Sequence, residues 1–91
     1  MDFKYYTEIK GNSRKISVLL PPEYKKAIGE GKNIDFGFFS EKNKQLKIMQ
    51  FHFAVNEESG NSVLSFELHR LQTDGNLIEG LIKAALELLI K

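Results

Sequence analysis

The sequence holds no cysteine at all, which excludes a disulfide framework, a thiolate metal site and a cysteine nucleophile together. A secreted domain of this size usually needs such staples, so a cytoplasmic setting is expected. Histidine is nearly as scarce. His52 and His69 fall on separate strand patterns, without the short ligand spacing of zinc sites, and no metal site is expected. No long hydrophobic run occurs. The most apolar stretch, Leu77 to Ile90, is broken by Glu79, Lys83 and Glu87 and is too short to span a bilayer. The start, Met1-Asp2-Phe3-Lys4, lacks the basic and apolar regions of a signal peptide. A soluble protein without a membrane partner is the expectation.

Catalytic signatures are missing too. The serines show no nucleophile elbow and no linked His–Asp pattern. Gly29-Glu30-Gly31-Lys32 has neither the Walker nor the dinucleotide-binding spacing and reads as a helix stop. No catalytic residue and no cofactor are expected, and the chain is read as not an enzyme.

What is present is an ordinary globular balance, 42% hydrophobic and 27% charged, over 91 residues. That length suits one domain spanning 1–91. The net charge of +1 hides an asymmetry. Residues 1–50 hold ten Lys/Arg against six Asp/Glu, whereas residues 51–91 hold three against six. A basic half of this kind suits a polyanion partner.

The periodicity predicts an α+β fold: an antiparallel, mostly meander sheet of about five strands, a short helix near 22–28, and a long C-terminal helix packed on the sheet. Phe3, Tyr5, Thr7 and Ile9 alternate with polar residues, as do Ile16, Val18 and Leu20, with turn chemistry at Gly11-Asn12-Ser13 between them. A hairpin setting Ile9 opposite Ile16 and Tyr5 opposite Leu20 keeps the apolar residues on one face. Pro21-Pro22 ends the second strand, and Pro22 with Glu23 suits a first helical turn. Ile34, Phe36 and Phe38, then Met49, Phe51, Phe53 and Val55, then Leu64, Phe66 and Leu68, mark three more strands. A tight turn at Asn43-Lys44 aligns Phe38 with Met49, and a loop at Glu58 to Asn61 sets Phe53 by Phe66 and His52 opposite Glu67. From Asp74, a plausible N-cap, the period becomes helical, with Leu77, Leu81, Ala85 and Leu88 as the stripe and Ile78, Ile82 and Leu89 widening it. Glu79–Lys83 and Glu87–Lys91 are favourable pairs one helical turn apart.

Some apolar residues fall outside that core. Phe39 and Ile48 share the opposite sheet parity, and Leu86 and Ile90 fall toward the polar side of the helix, so these four are the expected oligomer or partner interface. A homo-oligomer is expected from them. The basic residues gather at Lys10, Arg14 and Lys15, at Lys25, Lys26 and Lys32, and at Lys42, Lys44 and Lys47. The first group, with Asn12 and with Lys25 and Lys26 of the second, forms the expected nucleic-acid-binding set: Lys10, Asn12, Arg14, Lys15, Lys25 and Lys26. Binding of that kind is salt-sensitive and weakly specific. Tyr6 and Phe39 offer stacking surfaces for single-stranded bases, and Asn43 a further polar contact.

The run Gly11-Asn12-Ser13, Ile16-Ser17-Val18-Leu19-Leu20-Pro21 and Tyr24-Lys25-Lys26-Ala27-Ile28-Gly29 resembles the swapped-hairpin DNA-binding domains of the AbrB and MazE kind over about residues 7–49. The resemblance implies a dimer of interleaved hairpins, with Lys10, Asn12, Arg14 and Lys15 facing DNA. The chain departs from that pattern: the proline lies two residues further from the turn, and Gly31-Lys32 stands where Gly-Asp is usual. The leading expectation is a homodimeric nucleic-acid-binding protein, a regulator of transcription. The alternative is a protein-binding module or inhibitor working through an exposed apolar sheet or helix face.

Overall fold

A computed structural model describes residues 3–42 and 44–90, and its elements follow the periodicities of the sequence. The chain runs β1 (Tyr5–Lys10), β2 (Ser13–Leu20), a 3₁₀ turn (Pro22–Tyr24) leading into α1 (Lys25–Ile28), β3 (Lys32–Ser40), β4 (Gln45–Val55), β5 (Ser62–His69) and α2 (Gly75–Leu89). The expected α+β architecture is the observed one. All strand pairs are antiparallel, in the order β1-β2-β5-β4-β3. The pairing of β2 with β5 joins the N-terminal hairpin to the β3–β4–β5 meander.

Pro21, which has no amide proton to give, takes an extended conformation and stops β2. Pro22 then opens the 3₁₀ turn with Glu23 in its first turn. Gly29, at φ 61°, ends α1. Gly31 has φ 129°, and a Cβ there would lie 3.2 Å from the Phe53 carbonyl oxygen, so only glycine lets the chain enter β3 this close to β4. Asp74 caps α2 as expected, its carboxylate accepting the Asn76 amide at 2.9 Å. No helix among the described residues is long and apolar enough to cross a membrane.

One face of the sheet carries Ile16, Val18, Leu20, Phe51, Phe53, Leu64 and Phe66, all buried beneath α2 and α1. Each such side chain contributes about 1.5–3 kcal/mol. Phe51 meets Phe66 edge to face at 5.6 Å, an arrangement that aromatic quadrupoles favour. On the other face Lys15, Ser17, Leu19, Gln50, His52 and Glu67 are exposed or half-buried.

The helix is turned toward the Ile78, Ile82 and Leu89 side of the expected stripe. Its buried residues are Ile78, Ile82, Ala85, Leu86 and Leu89, while Leu81 and Leu88 flank them and Leu77 is exposed. Leu86 is therefore core, at 6% exposure, and the expectation that it lies on the polar side is corrected. A helix with leucine or isoleucine on most of its circumference leaves its orientation to the shape of the sheet beneath it.

The registers differ from expectation by the same amount in all three hairpins. Ile9 faces Arg14, Phe36 faces Met49, and Phe53 faces Leu64, each two residues from the expected partner. A two-residue slip keeps every side chain on its face, so the apolar pattern alone cannot detect it. Turn geometry decides instead. Gly11, at φ 59° in the first central position, permits a two-residue turn that pairs Lys10 with Ser13. Four residues, 41–44, separate Ser40 from Gln45. Asn56 accepts the Glu58 and Ser59 amides on its side chain and the Gly60 amide on its carbonyl, and its own amide bonds the Asn61 carbonyl, shaping the β4–β5 loop. The expected Asn43 contact and Glu87–Lys91 pair lie outside the described residues.

Candidate functional site

The distinctive feature is a fork in the sheet. β4 has eleven residues, yet only His52–Val55 pair with β5, against Ser62–Ser65. Beyond His52, β4 stays with β3 down to Gln45 opposite Ser40, while β5 stays with β2 down to His69 opposite Ser13. β3 and β4 thus continue as a two-stranded arm beside a three-stranded prong. Both the β1–β2 turn and the β3–β4 turn lie at the mouth.

Arg14 holds the second prong together. Its Nε and Nη2 donate to the Arg70 carbonyl at 3.2 and 3.0 Å, and Nη1 donates to the Thr7 hydroxyl at 3.3 Å. The Arg70 amide donates to the Asn12 carbonyl at 2.9 Å. These bonds fasten the end of β5 to the β1–β2 hairpin, on the side away from β4.

The space between the prongs is a cleft of about 900 Å³. Its helix-side wall is apolar, formed chiefly by Phe36, Phe38, Met49, Leu77 and Leu81. Phe36 stacks between its neighbours, 6.1 Å from Phe38 and 5.7 Å from Phe51. The opposite wall is mostly polar, with Lys15, Gln50, His52, Glu67 and His69 around the exposed Ile48. A strand directs its backbone N–H and C=O groups alternately to its two sides. Along residues 45–51 the groups of β4 that point away from β3 therefore face the cleft, where no described strand meets them. Buried backbone groups must be satisfied, so a ligand filling this cleft would have to supply partners to them.

The expected His52–Glu67 pair does not form. With the register shifted by two, His52 sits opposite Ser65 and donates through Nδ1 to Asn33 Oδ1, across the β3–β4 ladder. His69 lies opposite Ser13, and its Nδ1 accepts the Leu71 amide at 3.2 Å. Gln50 donates to Asp35 at 3.3 Å. Among the described residues no group of three or more potential metal ligands converges.

The residues expected to bind nucleic acid are divided between two ends of the sheet. Lys10, Asn12, Arg14 and Lys15 lie at or beside the β1–β2 turn, while Lys25 and Lys26 are on α1, past the far end of β2. Five strand residues, 16–20, separate Lys15 from the end of β2, roughly 17 Å at about 3.3 Å per residue. Arg14 spends its guanidinium on internal bonds, and Lys15 lines the cleft. The third basic group, Lys42, Lys44 and Lys47, occupies the arm's tip on the same end as Lys10, with Lys44 paired to Glu41 at 3.5 Å.

Of the expected interface residues, Phe39 and Ile48 are 55% and 70% exposed on the arm, and Ile90 is exposed at the end of α2. Leu46, opposite Phe39 and 69% exposed, belongs with them and escaped the sequence reading. So did the cleft, whose one sequence signal is length: the β4 pattern runs well past what an eight-residue β5 can pair.

The fold and site define an α+β domain with a forked antiparallel sheet and a two-walled cleft. Comparison of the chain with family models, with curated proteins and with solved structures finds no match.

Proposed function

We propose that the chain is a non-catalytic protein-binding module that captures an extended segment of a partner protein as an added strand in the fork. The observation that carries this reading is the open edge of β4 from Gln45 to Phe51, facing a cleft with one apolar and one mostly polar wall. An added strand draws affinity from main-chain hydrogen bonds and specificity from alternate side chains. Here one set of side chains meets Phe36, Phe38, Met49 and Leu77, and the other meets Lys15, Gln50 and His52. The preferred segment therefore alternates apolar with polar residues. Selection from a displayed library of random peptides, followed by amide hydrogen exchange on the complex, tests it. Alternating sequences that protect alternate β4 amides between Leu46 and Phe51 are expected. Selected peptides without alternation, or protection confined to other elements, would refute the reading.

A second reading, a homodimeric nucleic-acid-binding protein, draws support from Lys10 and Lys15 on one prong and Lys42, Lys44 and Lys47 on the other, flanking one mouth. Phosphate neutralisation by such lysines makes affinity fall steeply with salt. Anisotropy of labelled single- and double-stranded DNA at low and near-physiological salt decides it, and absence of binding at low salt rejects it.

A further inference from the structure

The sheet has two outer edges, and they differ in how they are guarded. β1 spans six residues and carries Glu8 and Lys10, with Lys4 just before it. β3 spans nine residues, contains no proline, and is charged only at Lys32 and Asp35. Its apolar residues are Ile34, Phe36 and Phe38 on the helix side and Phe39 on the other. Among the described residues no strand pairs with its outer side. Long apolar edges of this kind are templates for pairing, which natural sheets otherwise blunt with charge, proline or a cover. Over residues 45–51 of β4 the arm is also only two strands wide, and an isolated two-stranded ribbon is marginally stable in water.

We propose that β3 pairs antiparallel with β3 of a second copy of this chain, about a two-fold axis at Phe36. The sequence is self-complementary in that register. Phe36 faces its own counterpart, Ile34 faces Phe38 of the other copy, Asp35 faces Gly37, Asn33 faces Phe39, and Lys32 faces Ser40. Every apolar residue on the helix side meets an apolar one, and no like charges stand opposite. Centring the axis on Gly37 instead would set Asp35 against Phe39 and Ile34 against Ser40. A symmetric interface requires one patch to fit itself, and the triplet Ile34, Phe36, Phe38 is apolar at every position whichever way it is read.

Charge distinguishes this arrangement from association through the arm's apolar tip. Tip-to-tip contact would crowd Lys42, Lys44 and Lys47 of both copies together. Antiparallel β3 pairing points the tips in opposite directions. The two Ser40 residues then lie eight strand positions apart, roughly 26 Å, several Debye lengths at physiological salt. The product is a continuous ten-stranded sheet with both copies of α2 on one face. The fork opens beyond β4, on the side away from β3, so the dimer leaves it free, and this inference stands independently of the strand-addition reading.

Sedimentation equilibrium from low to high micromolar concentration, with circular dichroism as a check of folding, tests the proposal. The native chain is expected to be a dimer. Gly37 has an ordinary φ, and a Cβ there meets only the Leu46 Cδ1 at 3.9 Å, so substitutions at this position fit. Gly37→Asp places a carboxylate opposite Asp35 twice in the dimer. Directly opposed like charges cost roughly 0.2–1 kcal/mol each, so dissociation becomes roughly 2- to 30-fold easier. Gly37→Lys, which adds a side chain at the same place, should bind at least as tightly as the native chain, and Asp35→Lys combined with Gly37→Asp should restore the dimer. A monomeric native chain at high micromolar concentration overturns the proposal. So does a dimer indifferent to Gly37→Asp, or one that the double substitution fails to restore.

Discussion

Leu77→Glu separates binding from folding, and its cost follows from the structure. Leu77 is 39% exposed, so about three-fifths of its surface is covered. Full burial of a leucine side chain contributes about 1.5–3 kcal/mol, which puts the loss at about 1–2 kcal/mol. The replacement also gains something, because Leu77 is the third residue of α2 and Asp74 is its N-cap. A glutamate at that position can reach back to the Asp74 amide, completing a reciprocal cap, and its charge favours the helix N-terminus by about 0.3–1 kcal/mol. The net destabilisation should be under about 1.5 kcal/mol, read as a lower urea midpoint with an unchanged slope. The same carboxylate stands in the apolar wall of the cleft, beside Phe36 and Phe38. Burying it against an added strand without a partner costs several kcal/mol, so affinity for a selected peptide should fall at least tenfold by titration calorimetry. Loss of more than about 3 kcal/mol of stability would show that Leu77 belongs to the core. Unchanged peptide affinity in a folded variant would remove the cleft from the binding site.

Ser62 is buried between Leu20 and Val55 in the strand register, and its hydroxyl has no hydrogen-bond partner among the described residues. Ser62→Ala should raise stability by about 0.5–1.5 kcal/mol, since an unsatisfied buried hydroxyl is costly, and thermal unfolding should shift upward by several degrees; a lower midpoint would reveal a partner for the hydroxyl. Leu86 and Ile90 should respond in opposite ways. Leu86→Ala should cost about 2–5 kcal/mol in chemical denaturation, whereas Ile90→Ala should stay within about 0.5 kcal/mol; comparable losses would contradict the observed rotation of α2.

Much of this fold is legible residue by residue. The alternation through Ile16-Val18-Leu20 and Phe51-Phe53 identifies strands and their buried face, because the two-residue period of a strand must match a one-sided core. Pro21-Pro22 and Asp74 mark boundaries through backbone chemistry that acts locally. Register is another matter. Phe53 opposite Leu64 and Phe53 opposite Phe66 bury the same side chains, and the difference lies in how Asn56 folds the intervening loop. The rotation of α2 is hidden for a similar reason, since Leu77-Ile78, Leu81-Ile82 and Leu88-Leu89 offer two adjacent stripes of equal apolarity. The cleft depends on non-local facts: which strand lies beside β5, and where Arg14 fastens its end. Phe39 and Ile48 could be read as exposed from parity alone, whereas the role of Leu46 required knowing how far the arm projects.

The pairing of β2 with β5 also sets the order in which the chain can assemble. Leu20 meets Ser62 across residues 21–61, an excursion of 41 residues that contains α1, β3 and β4. Closing a loop of that length costs about 2 kcal/mol more than closing a four-residue hairpin turn, on the logarithmic scaling of loop entropy. The β1–β2 and β3–β4 hairpins have only such short turns to close, so they form first and the β2–β5 ladder forms late. Until then β5 rests on the four-residue ladder it shares with β4, and β2 keeps an open edge facing solvent. The expected slow step of folding is therefore the docking of two preformed hairpin units, and in a nascent chain the edge of β2 stays open until β5 has been made.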